Sequence, residues 1–452
     1  MAGQPAVAPT FFSFLPHFCH SERKPQDVVR MNPSEMDPGF LTATDVIRHQ
    51  NAAGTGLQDI VNRMLERKKH LRKHRFSLVD LTTNLFVLPP FAGNEEKKQG
   101  GLGSMAKLAI MYAAFQLKFD LEQLAKQQGL QKEEEIFKAA RSQWAETQKR
   151  DSNSPVTELH PGDQQARIPR IELRGSLVRV DGKAFPLPIP ATAASPNLER
   201  IFKMTATGLQ FQGSDRVFID QPGAPHTSQG VEDYVHKTPE NFTKIRQLSF
   251  AERMLLMVDE SDNTASHTCV QDVGYLYIAS SLFQSDLYNP KRGGGLWEGS
   301  SHRGLNWEKS FVIPAADFQN STAAAFASLL TLIAQGRLVN PAASAAMKHL
   351  MSKKKTGLTV VSQGQARSVG SYTRSFLGEG LLPKGFRFKE FSSKIGIGDF
   401  VNDCALVLRE DRGKELHYAV AAFDDNGDGK SIGELMVELD MCVQENNGLA
   451  PQ

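Results

Sequence analysis

Apolar residues between Met105 and Leu124 fall on nearly every face of a helix, with Leu108, Ile110, Met111, Phe115 and Leu117 among them. A helix that is apolar all round belongs inside a domain, so this stretch predicts the central buried helix. Upstream, Leu57, Ile60, Val61, Met64, Leu65 and Leu71 recur at helical spacing opposite Arg63, Arg67, Lys68, Lys69, Arg72 and Lys73, the pattern of a surface helix with a solvated basic face. Phe76 to Leu81 alternates as a strand, and Leu85 to Leu88 continues it until Pro89-Pro90 ends the pairing. A charged helix is predicted from Lys132 to Lys149. Ser249 caps a helix carrying Met254, Leu255, Met257 and Val258, and a second one, about Ala265 to Phe283, follows a bend. Two more are predicted, Thr322 to Ala334 and Pro341 to about Lys355. The last part reads as antiparallel strands at Phe386 to Lys394, Asp403 to Leu408 and Leu416 to Ala421, with a turn at Arg412-Gly413 and a closing helix from Ile432 to Val443. Strand, helices, strands, helix is an α+β order, in which an antiparallel sheet is covered by helices.

Two segments break this pattern. Residues 1–50 are rich in Pro, Ser and His without a sustained period and read as a loosely held arm. Residues 150–237 turn Pro-containing and β-rich, with short strands at Ile171 to Leu173, Leu177 to Val180 and Gly208 to Gln212 and a turn at Asp181-Gly182. They read as an insertion that splits the main domain into residues 51–149 and 238–452.

Composition narrows the function classes. With 52 basic and 50 acidic residues the formal net charge is +2, which supplies no overall field for gathering nucleic acid or an anionic membrane. Cys19, Cys269, Cys404 and Cys442 lack the paired spacings of a zinc site or a disulfide scaffold and read as thiols. No metal or cofactor is expected. No stretch is long and apolar enough to span a membrane. The apolar Phe11-Phe12-Ser13-Phe14-Leu15 has no basic residue before it, is interrupted by Pro16 and lacks a cleavage site, so a cytoplasmic location is expected over export.

The candidate chemistry lies at the start of the central helix. Ser104 and Lys107, three residues apart, share a helix face, so hydroxyl and amine point into one space as nucleophile and base. Gly100, Gly101 and Gly103 break the chain just before, which would set Ser104 at the positive helix end with a backbone N–H beside a developing oxyanion. Ser-x-x-Lys alone is common and usually a cap followed by a solvated lysine. Here it is joined downstream by Ser261-Asp262-Asn263, on the bend between two helices, and by Lys394-Ile395-Gly396.

Through these three motifs in this order the chain resembles the penicillin-recognising serine hydrolases, and among them the class A β-lactamases. The similarity runs over about Leu71 to Lys126 and Thr243 to the last helix: Phe76 to Leu81 looks like the first strand, Leu382-Pro383-Lys384-Gly385-Phe386 like the lead-in to the third, and Asn402 to Leu408 like the strand after it. The resemblance implies a β-lactamase/transpeptidase-like fold, with an all-helical part beside the sheet and an acyl-enzyme site between them. It implies Ser104 as nucleophile, Lys107 as base, Ser261 as proton relay, Asn263 as a grip on the substrate amide, and Lys394 as positive charge near a substrate carboxylate. The backbone N–H groups of Ser104 and Ile397, the latter just after Gly396, would form the oxyanion hole. A second ammonium near Lys107 would lower its pKa. An amide, β-lactam or ester is the implied substrate; a peptidoglycan peptidase, an esterase or a scaffold that kept only the fold are the alternatives.

Three departures bear on activity. Ile395 stands where the family has a hydroxyl residue, Ser104 and Ser261 lie farther apart than in a plain β-lactamase, and the family's Glu-x-x-Leu-Asn loop matches His302-Arg303-Gly304-Leu305-Asn306. His302 would then replace the deacylating glutamate, flanked by Glu298 and Glu308, and slow deacylation is expected. Lys355-Thr356-Gly357 spells the third motif but reads as a helix end with a glycine cap. Asp424 to Gly429 imitates a calcium loop but reads as a strand-to-helix turn, and His267 as a structural histidine.

Overall fold

The computed structural model describes residues 56–83, 89–151, 157–158, 171–174, 177–180, 183–186, 196–217, 242–274, 277–278, 281–282, 285, 287–289, 294–298, 319–352, 358–362, 365–369, 375–381, 384 and 386–450. The arm, Leu85 to Leu88, Cys19, His302, Asn306, Glu308 and Lys355 to Gly357 lie outside the described residues.

The chain enters with α1 (Gly56–Arg67), whose apolar stripe Leu57, Ile60, Val61, Met64 and Leu65 is buried as its spacing requires. The strands β1 (Arg75–Asp80) and β2 (Phe91–Asn94) follow, so the chain pairs again after Pro89-Pro90, where no strand is expected from the pattern. The two-residue β3 (Gly100–Gly101) leads into a 3-10 turn, Gly103–Ala106, and then α2 (Lys107–Gln128), which Gly129 ends in the left-handed conformation. Ser104 therefore sits in the 3-10 turn, one turn ahead of the α-helix, and not at its first residue. Lys107 through Leu117 of α2 are all buried, as an all-round apolar helix must be.

After α3 (Glu133–Asp151) comes a four-stranded meander of Thr157–Glu158, Ile171–Arg174, Leu177–Val180 and Lys183–Pro186, in which Val180 pairs with Lys183; Asp181-Gly182 lies outside the described residues. The hairpin Phe202–Thr205 and Gly208–Phe211 differs in character: Phe202 and Phe211 are buried and stacked, and Phe211 packs on Phe115 of α2 and on Phe250. Residues 196–217 thus join the helical core.

The helices α4 (Phe242–Gln247), α5 (Phe250–Val258) and α6 (Asn263–Val273) come next. Ser249 caps α5 as the sequence predicts, and Glu252 completes a capping box with it. Short strands β4 (Trp297–Glu298) and β5 (Gln319–Ser321) join β3 in a three-stranded sheet. Then come α7 (Ala323–Ala334), capped by Thr322, α8 (Pro341–Met351), a hairpin of Leu358–Ser362 and Gln365–Val369, and α9 (Phe376–Leu381). The α8 helix stops at Met351, before the basic run expected to end it. Three long strands, β6 (Arg387–Ile397), β7 (Val401–Asp411) and β8 (Lys414–Asp424), and α10 (Gly429–Asn446) complete the fold.

The main sheet is antiparallel in the order β6-β7-β8-β1-β2, which puts β6 at an edge. Both faces are covered, so its inner strands are buried at nearly every position and not only at alternate ones. Phe76, Leu78, Val407, Tyr418, Val420 and Ala422 face one core with α1, α9 and α10; Val79, Leu406, Ala419, Ala421 and Phe423 face the other with α2, α5, α6 and α7. Buried polar links lock the layers: Arg409 donates Nε to Asp440 Oδ1 at 2.8 Å and Nη2 to Oδ2 at 2.6 Å, joining β7 to α10. Asp424 anchors the turn after β8 by accepting the N–H groups of Asn426 and Asp428, so it is a strand-to-helix turn as expected.

His417 on β8 is a titratable group inside this frame, and burial pushes its pKa down to about 4 from an ordinary 6.5. The unfolded chain binds that proton below 6.5 and the folded chain does not until about 4, so this contribution is complete above 6.5 and is lost as pH falls through that window. Unfolding midpoints measured in urea between pH 7 and pH 4 should fall by the equivalent of on the order of 3 kcal/mol from this group. A His417→Gln variant should show a correspondingly shallower acid slope; an unchanged slope would mean that other groups set it.

Candidate active site

The site is built around the Lys107 side chain, which is wholly buried. Its Nζ donates to Ser104 Oγ at 3.0 Å, Ser261 O at 2.6 Å and Asn263 Oδ1 at 2.7 Å, and lies 3.3 Å from Ser261 Oγ. Lys394, on the edge strand β6, donates Nζ to the same Ser261 Oγ at 2.7 Å. Three motifs far apart in the chain therefore meet within hydrogen-bond reach.

Each part is held by its own local device. Ser104 and Lys107 keep their spacing because the 3-10 turn passes directly into α2. Ser261 adopts a positive φ of 59°, uncommon for a residue with a side chain, and this turns both its carbonyl and its hydroxyl toward Lys107. The bend is fixed by Asp262, whose Oδ1 caps α6 through Ala265 N at 2.6 Å and whose N–H donates to Leu256 O. Below it Arg253 of α5 and Asp272 of α6 form a buried ion pair at 2.7 Å that fixes the two helices to each other.

The edge of β6 reaches the Ser104 turn through glycines. A Cβ on Gly396 would lie 1.9 Å from Leu102 O, and one on Gly103 would lie 2.9 Å from Ile397 N and 2.8 Å from its O. Gly103 also has a φ of +52°, where a side chain is strained. Asn402 of β7 donates Nδ2 to Gly101 O at 2.6 Å and Leu102 N–H donates to Gln319 O, tying the strand before Ser104 to both sheets. Arg75 holds the preceding loop through the carbonyls of Gln99, at 2.7 Å, and Lys98. Neither Asn402 nor Arg75 was singled out from the sequence, because backbone anchors leave no motif.

Burial lowers the Lys107 pKa from 10.5 to about 7, against the nearby charges of Asp262 and Glu298, which raise it. The sequence attributed the lowering to a second ammonium; the cause is loss of water. Glu298 is itself buried and enters on β4, next to the β5–β3 pair that runs into Ser104. Of the four residues expected in the deacylation loop, Glu298 is the one described.

Residues 227–438 match the family model described as the β-lactamase enzyme family. The matched stretch holds Ser261, Asn263, Lys394 and Gly396, while Ser104 and Lys107 precede it and join it through the hydrogen bonds above. Among solved structures, the chain is similar to the TLA-1 extended-spectrum β-lactamase at 12% identity, over 85% of this chain and 98% of that one, with a TM-score of 0.42. It is also similar to a β-lactamase from Desulfarculus baarsii, at 14% identity over 88% and 100% with a TM-score of 0.42. A third, PBP-A, matches at 13% identity over 87% and 97% with a TM-score of 0.41. No curated protein sequence matches the chain significantly.

The close approach at Gly396 carries a direct expectation. Gly396→Ala puts a methyl group into the Leu102 carbonyl, so the strand edge has to move away from the Ser104 turn. Urea denaturation should show a loss of about 1–3 kcal/mol, the usual cost of overpacking. Full retention of stability would mean that the edge and the turn are not in contact.

Proposed function

We propose that this protein is a β-lactamase-like serine hydrolase that forms an acyl-enzyme at Ser104 on an amide, β-lactam or ester carbonyl. The observation that carries the reading is the buried Lys107 amine, with a pKa of about 7, in hydrogen-bond contact with Ser104, Ser261 and Asn263 at once. A lysine with that pKa is half neutral near pH 7, and the neutral amine has a lone pair to accept the serine proton.

In this reading Ser104 Oγ attacks the carbonyl carbon as its proton passes to Lys107 Nζ. The backbone N–H groups of Ser104 and Ile397 hold the oxyanion, and Gly396 permits the approach that brings them together. Collapse breaks the carbonyl bond to the leaving nitrogen or oxygen, which takes the proton of Ser261; Lys107, 3.3 Å from Ser261 Oγ, returns one to it. Lys394 steers that hydroxyl and adds positive charge. Asn263 gives its oxygen to Lys107, which leaves its NH2 to donate to a substrate amide. For deacylation the electrostatic coupling of Glu298 to Lys107 favours Glu298 as the base for water over His302, the sequence-based assignment.

Intact mass measurement after exposure to a fluorophosphonate and to a labelled penicillin tests the reading. A single adduct on Ser104 is expected, lost in Ser104→Ala and in Lys107→Ala; a scaffold without catalytic competence would stay unlabelled. The acylation rate should rise with pH through about 7 and level off, because the base works in its neutral form. Glu298→Gln removes a charge that raises the Lys107 pKa, so it should move that midpoint to lower pH. It should also slow release of the acyl group by about 100-fold or more. Unchanged release would return the role to His302 or Glu308.

A further inference from the structure

Resting on the reading of Ser261 as proton donor to the leaving group, we propose that Asp272 is a positioning residue for that serine, acting through Arg253 and through residues 196–217. Ser261 stands at the bend between α5 and α6. Arg253 is in the first turn of α5 and Asp272 in the last turn of α6, so their ion pair closes this helix hairpin at the end away from the bend. The two side chains are 1% and 3% exposed. A pair buried to that degree adds little stability over well-packed apolar residues, and what it does supply is direction. Here the direction is the angle between the two helices that meet at Ser261.

Residues 196–217 brace the same end. Asn197 N–H donates to Asp272 O at 2.7 Å, and Arg200 Nε lies 3.6 Å from Asp272 Oδ1, while Oδ2 faces Arg253. Gln212 O accepts Ala251 N–H at 3.0 Å, one of the first N–H groups of α5, which have no partner within the helix. Phe211 packs on Phe250, at the start of α5, and on Phe115 of α2, with ring centroids 5.6 and 5.0 Å away. Because α2 carries Lys107, this bracing sets the far end of the α5–α6 hairpin relative to the base, as the hydrogen bonds from Lys107 to Ser261 and Asn263 set the near end. A segment that the sequence reads as inserted is thereby tied to proton delivery. Misplacing a catalytic group by about 1 Å costs on the order of 100-fold in rate, so the angle of the hairpin matters to the chemistry.

The test compares two covalent probes that differ in their need for that proton. With a labelled penicillin the Ser104 Oγ–C bond forms, the ring C–N bond breaks, and the nitrogen keeps the electron pair and takes the Ser261 proton, which Lys107 replaces. With a fluorophosphonate the Oγ–P bond forms, fluoride leaves with the P–F electrons and needs no proton, and the serine proton stays on Lys107. Rates of adduct formation on Ser104 are read by intact mass. Asp272→Asn alone strands the Arg253 charge in the core and endangers the fold. The variant is therefore the Arg253→Met, Asp272→Leu double, which exchanges the pair for apolar side chains and should keep its stability in urea. It should lower the penicillin rate by about 10- to 100-fold. Fluorophosphonate labelling should be largely unchanged, with its pH midpoint still near 7, whereas a general loss of packing would slow both probes alike. Arg200→Gln, at a side chain 28% exposed, should move the penicillin rate in the same direction and by less. A penicillin rate untouched in these variants, or equal slowing of both probes, overturns the role of Asp272 alone. So does wild-type labelling by the fluorophosphonate only, since no proton delivery to a leaving nitrogen would then exist to be positioned. If neither probe labels the wild-type protein, the catalytic reading falls and this assignment with it.

Discussion

Burial of one amine constrains most of the site. A charged ammonium is expensive to remove from water, and Lys107 meets that cost in part by losing its proton near neutral pH and in part by hydrogen bonds to three acceptors. Those acceptors come from the turn before α2 and from the bend between α5 and α6. Once Lys107 is placed, Ser104 and Ser261 have little freedom. The positive φ of Ser261 is the strain accepted to supply both a carbonyl and a hydroxyl to the same nitrogen.

The two-sided sheet gives this hub a rigid wall. With helices on both faces, β6 cannot tilt without disturbing β7, and Asn402 fixes β7 to the strand that leads to Ser104. The glycines at 103 and 396 let backbone meet backbone where any side chain would hold the two apart. Precision at Ser104 therefore comes from close packing of main chain and not from side-chain length.

Much of this was legible in the sequence because it rests on local pattern. The all-round apolar α2, the Ser249 cap, the three C-terminal strands and the Ser261 bend follow from periodicity and capping, and the pairing of Ser104, Lys107, Ser261 and Lys394 follows from motif order. What was missed depends on tertiary context. The 3-10 turn at Ser104 is set by its contacts with β6, and β2 forms after Pro89-Pro90 because β1 offers it an edge. The strands β4 and β5 are too short to carry a period. The cause of the Lys107 shift was misread because desolvation is a property of the packed core, invisible in a list of charges.

The pairing of β1 with β8 has a consequence for how the molecule is made. Residues 75–80 hydrogen-bond along their length to residues 418–423, almost the whole described chain away. During synthesis β1 and the apolar α2 leave the ribosome long before their partners exist, so the sheet closes late and over a costly loop. Until then the nascent protein carries open strand edges and an uncovered hydrophobic helix, the surfaces through which partly folded chains aggregate.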